Sequence, residues 1–132
     1  MSKLKNFLSL WGPSLLMMGI IFAFSSRASN ELPNFQSADQ LIKKGGHSIG
    51  YALLSVTYWR GLRLRSRWQW LAWLMALAYS TTDEFHQSFV PGRHPSPTDV
   101  LLFDNLGAML GLLIFTFFRK KTWKRLTAGS IQ

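Results

Sequence analysis

The chain has 132 residues, 15 Lys and Arg against 6 Asp and Glu for a formal net charge of +9, and no cysteine. That length allows one domain, and the missing cysteines exclude disulfides and any thiolate metal site. The apolar fraction of 48% is ordinary, but the apolar residues come in four long blocks instead of being scattered, which argues against a soluble core.

A bilayer span takes roughly 20 mostly apolar residues as a helix. The first candidate, residues 7–24 (FLSLWGPSLLMMGIIFAF), is free of charge and longer than the hydrophobic stretch of a usual signal peptide, so it reads as a retained span. A polar connector follows over 25–43, in which "ADQLIKK" suggests a short surface helix. The second block, 45–62, ends in a connector carrying Arg60, Arg63, Arg65 and Arg67. The third, 68–87, is strongly apolar only from Trp68 to Tyr79, so to cross it must continue through Asp83 and Glu84. The fourth, 99–118, runs into Arg119, Lys120, Lys121, Lys124 and Arg125. Blocks one and four have almost no polar stripe to turn toward water.

Placement of charge sets the expected orientation. Together with Lys3 and Lys5, eleven of the fifteen basic residues fall on one side of a four-span arrangement. The positive-inside rule puts that side, and both termini, in the cytoplasm. Trp59, Trp68, Trp70 and Trp123 sit at the same edge, where an interfacial aromatic belt belongs. All six acidic residues (Glu31, Asp39, Asp83, Glu84, Asp99, Asp104) lie on or near the other side. The basic clusters therefore read as orientation signals and not as a nucleic-acid surface. The expected fold is an all-α integral membrane protein, one domain over 1–132 with four transmembrane helices.

The acidic residues pose a physical problem. At 1.5 Å per residue, Glu84 lies roughly 24 Å along a path of about 30 Å. A carboxylate there costs about 2.5–3.5 kcal/mol on insertion scales, so it should face the bundle and find partners. Lys44, His47 and Tyr51 recur at i, i+3 and i+7 and share one helix face. Ser80, Asp83, Glu84 and Gln87 share another, Arg93 lies in a Pro-rich loop, and Asp99 starts block four with Thr98 or itself as N-cap. Asp104 lies deeper in block four, and Gly107 and Gly111 after it offer a small-residue face for close helix contact. Three helices thus aim polar groups at one outward-facing pocket.

As a site, the cluster offers Glu84 or Asp83 as general acid or base, His47 as proton shuttle, and Lys44 and Arg93 as anion clamps. As structure, it offers an ion-pair and hydrogen-bond network pinning helices together. His86 and His94 read more simply as solvated surface histidines. His47 with Asp83 and Glu84 is a weak candidate for a divalent metal, because no HExxH or comparable spacing accompanies it. No GxSxG elbow or P-loop is present either.

"KGGHSIGYALL" from Lys44, "DEFHQSFVPGR" from Asp83, "DVLLFDNLGAMLG" from Asp99 and "FAFSS" ending at Ser26 together resemble the VanZ-like family of small membrane proteins. By that resemblance the family's recurring polar positions map to Lys44, His47, Tyr51, Asp83, Glu84, Gln87, Arg93, Asp99 and Asp104. His86 also looks like a frequent family residue. Two departures stand out: Lys43 occupies a place where the family often has Asp, and Asp99 and Asp104 stand one residue further apart than usual. The family's namesake is associated with teicoplanin resistance, a cell-envelope phenotype.

The resemblance and the residues together suggest recognition of an amphiphile, such as a lipid-linked envelope intermediate or a lipoglycopeptide like teicoplanin. Lys44 and Arg93 would hold its anionic group, Tyr51 and Gln87 would orient its headgroup, and Asp99 and Asp104 would complete the pocket, with no cofactor. The alternatives are an intramembrane enzyme using Glu84, His47 and Asp83 on such a lipid, and a structural membrane subunit.

Overall fold

A computed structural model describes residues 3–31, 37 and 39–128. The fold is all-helical, with no strand among the described residues. Helix α1 covers Lys3–Ser25, α2 Asp39–Gly61 and α3 Gln69–Gln87. Helix α4 opens as a turn over Pro97–Asp99, passes through a π-helical segment at Val100–Asp104 and continues as Asn105–Ala128. The helices run up, down, up and down, since Trp11 of α1 meets Gly61 of α2 while Ser25 meets Asp83 of α3 and Lys44 meets Asp99 of α4. Helix α2 is the hub and touches the other three.

The α2–α4 seam is the tightest in the bundle. A Cβ placed on Gly107 would fall on the Ser48 carbonyl, and one on Gly111 would lie 2.5 Å from the Ala52 oxygen. Ser48 and Ser55 donate across the seam to the carbonyls of Phe103 (2.9 Å) and Ala108 (3.0 Å). Small residues here let two backbones approach closely while hydroxyls bridge them, which is how helices associate where solvent supplies no hydrophobic drive.

Polarity is distributed inside out. Ser14, Ser25, Ser55, Ser80, Asp83, Gln87 and Asp104 are buried, whereas Leu15, Leu16, Phe22, Phe24, Leu113, Ile114 and Phe117 are exposed. A contiguous apolar exterior of this kind marks a surface made for something other than water. Helix α1 over Lys3–Ser25 and α4 over Pro97–Thr122 are long and apolar enough to cross a membrane. Helices α2 and α3 are less apolar because they carry Lys43, Lys44, His47, Asp83 and Glu84.

Several local expectations change. No separate surface helix forms at "ADQLIKK", because helix α2 begins at Asp39 and runs on without a break. The rest of that connector, 32–36 and 38, lies outside the described residues. Trp59 is not part of an aromatic belt: it is 1% exposed, donates to the Arg65 carbonyl at 3.0 Å and packs edge-on against Phe115. Its indole instead closes the turn after α2, where Arg63 and Leu64 take positive φ values of 60° and 52°. Trp70 is exposed, and the side chain of Trp123 is outside the described residues. The N-cap of α4 is Ser96, with Pro97 at the first helical position, so neither Thr98 nor Asp99 caps it.

The seam yields a direct expectation. Gly107→Leu must push the α2 and α4 backbones apart and should cost upward of about 2 kcal/mol in unfolding of the detergent-purified protein. Gly46→Ala, whose added methyl meets nothing within 4 Å, should leave the unfolding midpoint where it was.

Candidate functional site

The end of the bundle formed by the C-termini of α1 and α3 and the N-termini of α2 and α4 gathers Lys44, His47, Tyr51, Asp83, Glu84, Gln87, Arg93, Asp99 and Asp104, in two layers. The deeper layer is a set of buried acceptors. Asp83, 4% exposed, takes three hydrogen bonds on Oδ2, from Ser25 Oγ at 2.7 Å, Gln87 Nε2 at 3.1 Å and Tyr51 OH at 3.2 Å. Gln87 Nε2 also reaches Ser25 Oγ at 3.2 Å. Asp104, 3% exposed, accepts from Ser80 Oγ at 2.5 Å, and its other oxygen faces His47 Nδ1 at 3.8 Å. Oδ1 of Asp83 and Oδ1 of Asp104 are buried without a hydrogen-bond partner among the described residues.

The shallower layer is a cavity of about 350 Å³. Lys43, Lys44 and Arg93 line it beside Glu84 and Asp99, with His47, Gln87, His94 and Phe103 completing the wall. Lys44 Nζ lies 3.0 Å from Asp99 Oδ1 and 4.9 Å from the centre of the Phe103 ring. Asp99 thus supplies the pairing partner of Lys44 across the seam. Glu84 Oε1 accepts the backbone N–H of Ser96, tying α3 to the N-cap of α4. Arg93 donates from Nε to the Arg27 carbonyl at 3.3 Å and from Nη2 to the Phe24 carbonyl at 3.1 Å. It therefore closes the C-terminal end of α1, a place where a cation meets the negative end of the helix dipole.

The π-helical segment explains how two aspartates five residues apart both reach α2. At 100° per residue an α-helix would turn them roughly 140° away from each other. The wider i→i+5 turn over Val100–Asp104 takes up the extra residue. Asp99 then meets Lys44 while Asp104 faces His47, one α2 turn further on. Ser48 occupies the Phe103 carbonyl within the π segment.

Sequence reasoning placed the cluster on three helices, and α1 is the addition: Ser25 completes the shell of Asp83. The signal available was "FAFSS", two hydroxyls closing an otherwise apolar block. His94 lines the cavity, while His86 sits apart, 3.1 Å from Ser26 Oγ with its ring against Phe22. For the metal reading, no group of three or more His, Asp or Glu able to hold an ion occurs among the described residues.

The deeper layer can be tested on its own. Asp83→Leu leaves three donors without an acceptor and should cost about 3–5 kcal/mol of unfolding free energy. Asp83→Asn keeps one carbonyl oxygen for them and should cost less than half as much. Equal losses in chemical or thermal unfolding would show that the acceptor role is not what Asp83 supplies.

The chain's order of motifs, its helical bundle and its two membrane-length helices agree with one known family. The VanZ/LLP1 family model matches residues 7–119, nearly the whole bundle. No curated protein and no solved structure matches the chain. A match running from the first turns of α1 to the charged end of α4 leaves one assignment: the chain belongs to the VanZ/LLP1 family.

Proposed function

We propose that this protein is a multi-pass membrane protein of the bacterial cell envelope that binds an anionic amphiphile in the shallow polar cavity, with that cavity facing away from the cytoplasm. One observation carries the reading. Among the described residues, Lys44 and Arg93 line an open cavity of about 350 Å³ together with Glu84, Asp99 and Gln87, at the tip of an apolar-surfaced bundle. That is a place for a charged headgroup whose remainder lies in lipid.

Four spans are supported by helix length. Helices α2 and α3 have 23 and 19 residues, about 34 and 28 Å at 1.5 Å per residue, close to the thickness of a hydrocarbon core. Orientation is supported by charge: Lys3, Lys5, Arg60, Arg63, Arg65, Arg67, Arg119, Lys120 and Lys121 are all exposed at the end opposite the cavity. The positive-inside rule puts that end in the cytoplasm.

Within the cavity Lys44 and Arg93 meet the anionic group, while Glu84, Asp99 and the Gln87 carbonyl oxygen remain as acceptors for headgroup hydroxyls or amines. Tyr51, Asp83 and Asp104 do not line this cavity and act by holding the helices. A lipid-linked envelope intermediate or a lipoglycopeptide such as teicoplanin has the required chemistry. Acid–base catalysis by Glu84, His47 and Asp83 is the weaker reading. Glu84 is engaged by the Ser96 N–H and Asp83 by three donors, the arrangement of fixed acceptors and not of a poised base.

Lysophosphatidic acid is a suitable probe of the headgroup site. Lys44→Gln should weaken its binding by about tenfold, the worth of one charge-assisted hydrogen bond. Wild-type affinity should fall with added salt, and Lys120→Gln, at the far end, should bind like the parent. Unchanged affinity in Lys44→Gln would overturn the assignment of the cavity.

A further inference from the structure

A second cavity, also about 350 Å³, runs between α1 and α2. Its walls are Ile20, Ile21 and Phe24 on one helix and Ile42 and Ile49 on the other, and it opens sideways, with Ile20, Phe24, Ile42 and Ile49 all exposed. Its floor is made by Gly46 and Gly50. These glycines differ physically from Gly107 and Gly111. A Cβ on Gly46 would meet nothing within 4 Å, and one on Gly50 would touch only the Ile21 side chain at 3.7 Å. They do not bring helices together; they leave space that side chains would fill. Lys43, His47 and Arg93 line both this groove and the polar cavity, so the two share one rim.

We infer that the groove is the hydrocarbon subsite for a phosphate-bearing lipid, which enters sideways between α1 and α2 with its phosphate across the shared rim in the polar cavity, toward Arg93 and Lys44. This rests on the assignment of the polar cavity to an anionic headgroup and adds the path and seat of the chain. The apolar walls suit one alkyl or prenyl chain, and the cationic rim sits where that chain must end in charge. A bulk bilayer lipid would need neither the missing side chains at Gly46 and Gly50 nor the basic rim.

The test uses the full chain reconstituted in phosphatidylcholine vesicles and hexadecyl phosphate carrying a diazirine at mid-chain. Mapping of the adducts should place them on Ile20, Ile21 and Ile49 at about tenfold the level on Leu110 and Ile114, which are exposed on α4. Gly46→Leu and Gly50→Leu should each plug the groove and lower its labelling to the α4 level, since each buried methylene is worth about fourfold in affinity. Gly46→Ala, too small to fill the space, should label like the parent. An uncharged hexadecanol analogue should show no preference for the groove.

A separate titration with glycerol phosphate, which has no chain, isolates the headgroup site and should give equal weak affinity in the parent and in Gly46→Leu. If glycerol phosphate binds but hexadecyl phosphate labels all lipid-facing helices alike, the groove inference fails and the headgroup assignment stands. If glycerol phosphate does not bind the parent, that assignment fails and this inference with it. A groove protected from labelling, together with a dimer that Gly46→Leu dissociates, would assign the groove to a second copy of the chain and overturn the proposal.

Discussion

Two glycines on α4 let its backbone come within contact of α2, and the polar end of the bundle depends on that approach. With Gly107 against the Ser48 carbonyl and Gly111 against Ala52, the faces of α2 and α4 are held in one register. The serine bridges at Ser48 and Ser55 fix that register in direction as well as distance. Lys44 then falls on Asp99, and His47 faces Asp104. Bulkier residues at the seam would separate these pairs.

Above the seam the polar groups divide by depth, and depth decides what each can do. Asp83 and Asp104 are nearly sealed, so leaving either without donors would be expensive in a medium that offers no water. Their hydroxyl and amide partners come from three different helices, α1, α2 and α3, which makes the layer a clasp for the bundle. Lys44 and Asp99, paired with each other, are more than a quarter exposed and stand at the opening of the cavity. The bundle thus keeps its sealed polar groups inside and its exposed charges at one mouth.

Much of this was legible in the sequence because helix geometry is periodic. The i, i+3, i+7 spacing of Lys44, His47 and Tyr51 gave a correct common face, and the short apolar run of the third block gave a reason for its acids to be buried. What stayed hidden depended on the path of the chain between elements. Nothing local announces that Ser25 will reach Asp83, 58 residues on. The spacing of Asp99 and Asp104 showed an extra residue but not the π turn that absorbs it, because i→i+5 bonding has no composition signal of its own. Arg93 was read as an anion clamp, whereas the carbonyls of Phe24 and Arg27 claim part of its guanidinium. Trp59 misled for the same reason: an indole beside a basic loop suits an interface, yet the fold turns it inward.

The central claim is that the mixed-charge cavity opens on the outer side of a four-span membrane protein. With no native cysteine in the chain, single substitutions can report this without background. His94→Cys, at the cavity mouth, and Arg63→Cys, in the α2–α3 turn, would be expressed in cells and exposed to a membrane-impermeant maleimide before and after lysis. With the cavity on the outer side, His94→Cys should be labelled in intact spheroplasts and Arg63→Cys only once the membrane is opened. The reverse pattern, or labelling of both from the same side, would contradict it.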